Sequence, residues 1–197
     1  MPVQRNFGAS RTAVLSMDMQ KGIVSIYAKD QEDFPARASE VLKQARSLGM
    51  CIIHVQIGFR PGLPEVSPQN VLFHALKSSA QHQQLFVGPS GAIHPAVAPE
   101  DGDIVVTKHR VSAFTGTDLD MILRAKEIDT LVLFGIATSG VVLSSLVHAS
   151  DADYNLAVIK DCCADQDPDL HSCLTDKFFP RRATVLSAAE FLDSLRG

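Results

Sequence analysis

The sequence predicts a doubly wound α/β fold: six parallel strands in a three-layer, Rossmann-like α/β/α arrangement. Three observations lead there. Six short apolar runs recur along the chain, most of them near-continuous Val, Ile and Leu, the pattern of parallel strands buried on both faces. Segments with helical spacing separate the runs, and strands alternating with helices build such sheets. The 197 residues fit one domain spanning 1–197, with no linker, internal repeat or low-complexity stretch to divide it.

The first strand is expected over Thr12–Asp18 (TAVLSMD). A helix follows over Pro35–Leu48, with Ala38, Val41, Leu42, Ala45 and Leu48 on one face and Gly49 as its stop. The second strand reads Cys51–Ile57 (CIIHVQI). The stretch from Phe59 to Gly102 holds one helical segment around Pro68–Gln81 among scattered Pro and Gly. It is expected to be a surface excursion bordering the site. The third strand is Asp103–Lys108. Thr117 is placed to cap a helix carrying Leu119, Ile122 and Leu123, with Asp118 and Asp120 in its first turn. The fourth strand, Thr130–Gly135, runs into GIATSGVVLSS and a further helical segment. Leu156–Asp161 and Ala183–Ser187 complete the set of strands. Asp167–Pro168 reads as an N-cap followed by Pro at the first helical position. Ser187 and Glu190 have the spacing of a capping box that opens the last helix.

Composition removes several function classes. The formal charge of −4 does not favour a nucleic-acid partner or attraction to an anionic membrane. No apolar run approaches the length of a membrane span. The N-terminal MPVQRNFGASR lacks a long apolar segment of the signal-peptide kind. Four cysteines (Cys51, Cys162, Cys163, Cys173) contain no CxxC pair, so neither a disulfide framework nor a zinc site is expected. Reduced thiols in a cytoplasmic protein are the simplest account.

In an open parallel sheet, ligands bind beyond the carboxyl ends of the strands. Three strands bring chemistry to that edge. The first ends in Asp18, the third in Lys108, and the fourth runs into the ATSG turn. A carboxylate and an ammonium in a dry pocket make a proton-transfer pair; the structural alternative is an N-cap Asp and a surface Lys. The turn offers small residues and free N–H groups at a helix start, suited to an oxyanion or a carboxylate; the alternative is a turn capped by Thr138 or Ser139. His54 lies within the second strand, where a structural histidine is the simpler reading than a ligand.

The segments AVLSMDMQ, TKHRVSAFTGTDLDMILRAKEIDTLVLFGIATSGVVLSS, DADYNLAVIKDCCAD, HSCL and FFPRRATV together resemble the isochorismatase-like hydrolase superfamily, cysteine hydrolases that include nicotinamidases. The match runs in order along nearly the whole chain. The resemblance implies a six-stranded parallel sheet of order 3-2-1-4-5-6 and self-association as a dimer or larger oligomer. It also implies a catalytic Asp, Lys and Cys. Asp18 and Lys108 match the first two. The Cys position of the family's T-x-x-C-V turn is matched by Val141 in Thr138-Ser139-Gly140-Val141-Val142. A valine has no lone pair, so a thioester route at this position is closed. The Asp and His that hold the nicotinamidase metal have no match in QIGFRPG, so no metal or other cofactor is expected.

Vinyl-ether hydrolysis, the isochorismatase reaction, needs a positioned acid but no nucleophile. On this reading Asp18 is the acid and Lys108 binds substrate or stabilises the aspartate. Gly140 and Val141 N–H groups orient an oxygen, and Gln20 positions Asp18. Arg60 and His109 are candidates for gripping a carboxylate, with a structural role favoured for His109. Ser112 and Phe114, from the family's SAF element, are candidate pocket-lining residues alongside Thr138. Two alternatives stay open: an inactive member that binds or assembles, and a cysteine hydrolase recruiting Cys162 or Cys163. Buried inert thiols are the simpler reading of those two residues.

Overall fold

The computed structural model describes residues 7–196; the first six residues of MPVQRNFGASR, read above as lacking a signal-peptide segment, lie outside them. Six strands form one parallel sheet: β1 Thr12–Met17, β2 Cys51–Ile57, β3 Ile104–Lys108, β4 Thr130–Ile136, β5 Asn155–Ala164 and β6 Thr184–Leu186. Their order is β3-β2-β1-β4-β5-β6, with every pairing parallel. The order reverses between β1 and β4, which places a crevice beyond the carboxyl ends of those strands.

The continuous apolar runs follow from this architecture. All six residues of β1 are buried, as are the last six of β4, because helices cover both faces. Among the described residues, nine α-helices lie between or after the strands: α1 Lys21–Tyr27, α2 Phe34–Ser47, α3 Val71–Lys77, α4 Ala80–Gln83, α5 Gly88–Gly91, α6 Leu119–Ala125, α7 Leu143–Asp151, α8 Pro168–Cys173 and α9 Ala188–Ser194. On α2, Ala38, Val41, Leu42 and Ala45 are buried as their spacing requires. Leu48 departs from that face and is 44% exposed. It is the C-cap, one residue past the helix, and Gly49 turns the chain away at φ +79°.

Local capping matches the sequence pattern at two ends. Asp167 accepts from the N–H groups of Asp169 and Leu170, and Ser187 with Glu190 forms the full capping box. Three expectations need correction. The helix expected over Pro68–Gln81 is two short helices, because Asn70 caps α3 by accepting from Phe73 N–H and Ser79 caps α4 by accepting from His82 N–H. The N-cap of α6 is Asp118, and the Thr117 hydroxyl instead bridges Ala113 O and Leu119 N–H. β5 continues three residues past Asp161. A register shift in the β4/β5 pairing, with the extra residues on β5 between Val158 and Cys163, lets Cys163 and Ala164 pair with Gly135 and Ile136. Asp161 is accommodated because its carboxylate accepts from Ala188 N–H and its carbonyl from Arg37.

Candidate active site

Asp18 is the first residue beyond β1. Its N–H donates to Val55 O at 2.7 Å, and its φ of +54° turns the chain out of the sheet. Aspartate tolerates this left-handed backbone better than most residues. Lys108 closes β3, two strands away. Its long side chain spans the end of β2 and places Nζ 2.8 Å from Asp18 Oδ2. The same ammonium donates to Arg110 O at 3.0 Å. Lys108 is 1% exposed and Asp18 5%. Burial pushes the Asp18 carboxyl above the ordinary aspartate value, and the Lys108 charge and hydrogen bond offset part of that rise. Asp18 Oδ1 has no hydrogen-bond partner among the described residues.

The third component is the turn after β4. The backbone of Gly135 stands at φ +143°, and a Cβ there would lie 2.0 Å from Met17 O. Only glycine permits β4 to approach β1 this closely. The Ile136–Ala137 peptide is cis. Thr138–Val142 then forms one π-helical turn that leads into α7, with Gly140 outside helical geometry; such turns gather at functional sites. Asp165 secures the turn by accepting from Ser139 N–H at 2.7 Å, and Thr138 Oγ1 lies 2.8 Å from His171 Nδ1. Burial lowers the His171 pKa, against the pull of Asp165 and Asp176.

These three pieces border one cavity of about 320 Å³, lined by Asp18, Lys108, Ala137, Gly140 and Val141. Its remaining wall comes from α1, for which the sequence showed no role, and from the excursion after β2, which was expected to border the site. Ile23 and Tyr27 of α1 and Leu72 and Leu76 of α3 line it, with His82 and Phe86 from the excursion after β2. The wall is mainly apolar, as small-molecule pockets are.

The other site candidates fall in different places. Among the described residues, Gln20 makes no hydrogen bond to Asp18. Its amide donates to Ile57 O and Gly91 O and accepts from Ile57 N–H, holding the end of β2 to the excursion. Arg60 lines a separate cavity, with its side chain 65% exposed and paired with Glu65. His109 donates from Nδ1 to Gly58 O at 2.6 Å. Ser112 accepts from Phe114 N–H, and Phe114 stacks on His148 with ring centroids 4.4 Å apart; neither lines the Asp18 cavity. Thr138 is buried beneath the turn rather than in the cavity wall. His54 bonds Asp103 at 3.0 Å. Cys162 and Cys163 are buried within β5, and Cys163 donates to Ile159 O. Burial raises both thiols, that of Cys163 to about 12, so neither carries a thiolate near neutral pH. Among the described residues, no cluster of three or more His, Cys, Asp or Glu could hold a metal ion.

Residues 12–190 match the isochorismatase domain model. The chain belongs to the isochorismatase family. It is 30% identical over 190 residues to the isochorismatase family protein YecD of Escherichia coli O157:H7, covering 95% of this chain and 97% of that one. It is 33% identical over 199 residues to the ureidoacrylate amidohydrolase RutB of Agrobacterium fabrum, covering 89% and 87%. Among solved structures, an isochorismatase family protein from Burkholderia thailandensis superposes with a TM-score of 0.79 at 27% identity, covering 95% and 97%. A cysteine hydrolase from Pseudomonas syringae superposes with a TM-score of 0.83 at 22% identity, covering 98% and 95%, and shares the fold. In this isochorismatase-family chain, the crevice at the β1/β4 reversal is the cavity that holds the Asp18–Lys108 pair.

Proposed function

We propose that this chain is a small-molecule hydrolase that works by acid–base chemistry on Asp18 and Lys108, with Val141 where the family's cysteine hydrolases carry their nucleophile. The observation that carries the reading is the buried 2.8 Å contact between Asp18 and Lys108 in a cavity that Val141 also lines. Relatives named as ureidoacrylate and maleamate amidohydrolases support small-molecule hydrolysis. The covalent amide route needs an attacking atom at position 141, and an isopropyl group supplies none. Hydrolysis of an enol ether fits the groups that are present.

The steps balance without a nucleophilic side chain. Asp18 gives its proton to the terminal alkene carbon, and the π electrons form that C–H bond. The ether oxygen shares the resulting charge as an oxocarbenium ion. Water adds to the cationic carbon and returns a proton to Asp18. The hemiketal then releases the alcohol and leaves a ketone. Burial favours the protonated form of Asp18, and positioned acids of this kind contribute roughly 10²–10⁴-fold. Lys108 holds the carboxylate left after proton transfer. Cytoplasmic residence and self-association belong to the same proposal, the latter checked by light scattering.

The test is a screen of enol ethers for ketone release by the wild type, Asp18→Asn and a thiol-alkylated sample. Turnover that survives alkylation and collapses in the Asn variant supports the reading. Turnover abolished by alkylation would assign the chemistry to a cysteine. Ligand binding with no turnover of any kind would make the cavity a binding site only.

A further inference from the structure

The charges lining the cavity restrict what it can accept. Among the described residues, the titratable groups that face it are Asp18, Lys108, Tyr27 of α1 and His82 of α4, with His82 at the exposed rim. Both nearby arginines are engaged elsewhere. Arg60 pairs with Glu65 in the neighbouring cavity, and Arg110 donates to His109 O and Glu65 O. Lys108 is therefore the one fixed positive charge in the cavity wall, and Asp18 is its one carboxylate partner. Proton donation by Asp18 requires the neutral acid. In that state Lys108, at 1% exposure, has no counter-charge, a costly arrangement unless a ligand supplies one. Two of its three N–H donors reach Asp18 and Arg110 O, which leaves the third for a ligand.

The rest of the wall fixes the body of the ligand. Ile23, Ile57, Leu76, Phe86, Val111 and Val141 line it, and about 320 Å³ lies at the small end of ligand pockets. We propose that the cavity takes a monocarboxylate with an apolar, single-ring-sized body, whose carboxylate takes over Lys108 from Asp18. This rests on the acid–base reading above and names its substrate class: an enol ether carrying one carboxylate and an apolar alcohol portion. A second carboxylate would meet apolar wall and no free cation, and desolvating it unpaired is costly. The carboxylate and Asp18 cannot both stay ionised around one ammonium, so binding draws in one proton, which Asp18 keeps.

Calorimetric titration of the full chain tests this with three unreactive probes: cyclohexanecarboxylate, its uncharged amide, and cyclohexane-1,2-dicarboxylate. The titrations are run near pH 9, in two buffers of different ionisation heat. The monocarboxylate is expected to bind at least about tenfold more tightly than either comparison probe, with uptake approaching one proton per ligand. In Asp18→Asn, which leaves Lys108 without a carboxylate, it should bind more tightly than in the wild type and without uptake. Should the Asn variant fail to fold, the wild-type ranking and proton count still decide. Equal or tighter binding of the amide or the dicarboxylate, no binding of any probe, or binding without proton uptake in the wild type overturns the proposal. Enol-ether turnover alongside a failed titration would leave the acid–base reading standing. Proton-coupled binding without turnover would retain the ligand class and remove the chemistry.

Discussion

Asp18 combines a left-handed backbone, near-complete burial and one cationic partner. Each feature has a cost, and each also suits the proposed role of an acid in a dry pocket. Replacing it with Asn preserves shape and tolerance for φ +54°, so the variant isolates the proton. Turnover should fall by about 10²–10⁴-fold in kcat, with the far-UV circular dichroism unchanged. Because burial raises the Asp18 pKa, the wild type should be active below the folded value and lose kcat as pH rises through it. A rate that instead climbs across that range would mean Asp18 acts as a base. Val141 gives the complementary test. Val141→Cys is nearly volume-conserving and should cost less than about 1.5 kcal/mol in urea unfolding. Its thiol would line the cavity that holds Lys108, whereas Cys162 and Cys163 lie in β5 outside the cavity lining. Iodoacetamide labelling followed by mass spectrometry should find residue 141 modified well before either buried cysteine.

At the level of elements, the β4–turn–α7 unit depends on one close approach. Gly135 lets β4 run against Met17 of β1, and the alanine methyl would overlap Met17 O. Because that obstacle is backbone and the φ is positive, Gly135→Ala should destabilise by about 3 kcal/mol or more, read as a lowered urea midpoint. A midpoint within error of the wild type would refute the packing argument. The same unit shows why β5 was read short. A charged residue at 161 looks like a strand end. Here Arg37 and the start of α9 hold that residue, and the register shift carries pairing through Ala164. The excursion after β2 was legible as a border of the site, but which of its residues form the wall was not. Its Leu72, Leu76 and Phe86 have no spacing that distinguishes a pocket surface from ordinary core.

For the whole molecule, two buried carboxylates give opposite pH slopes. Burial pushes the Asp103 carboxyl up, but Arg46, Glu100 N–H and His54 outweigh it and hold the group below the ordinary aspartate range. Its stabilisation is therefore complete above that range and is lost as pH falls towards the folded value. Asp18 works the other way. The folded chain keeps a proton that the unfolded chain has released, so stability declines as pH rises from the ordinary range towards the raised value. Urea midpoints measured across pH should show both limbs. Asp103→Asn should flatten the acid limb and cost about 1–3 kcal/mol at neutral pH, and Asp18→Asn should flatten the other. An unaltered acid limb in the Asp103 variant would rule out this assignment.

By itself the sequence determined the six strands, the extent of α2, the caps of α8 and α9, and the arrival of Asp18, Lys108 and the ATSG turn at one sheet edge. Those features are written in local periodicity, caps and strand ends. Tertiary structure alone decided which candidates meet. Lys108 reaches Asp18 only because β2 inserts between their strands at a width its side chain can span. Gln20, Arg60 and Ser112 looked equally available, yet each is engaged by other partners: Gln20 by Ile57 and Gly91, Arg60 by Glu65, and Ser112 by Phe114 N–H. Side-chain direction and competing hydrogen bonds depend on which segments pack together, and no short stretch of sequence carries that information.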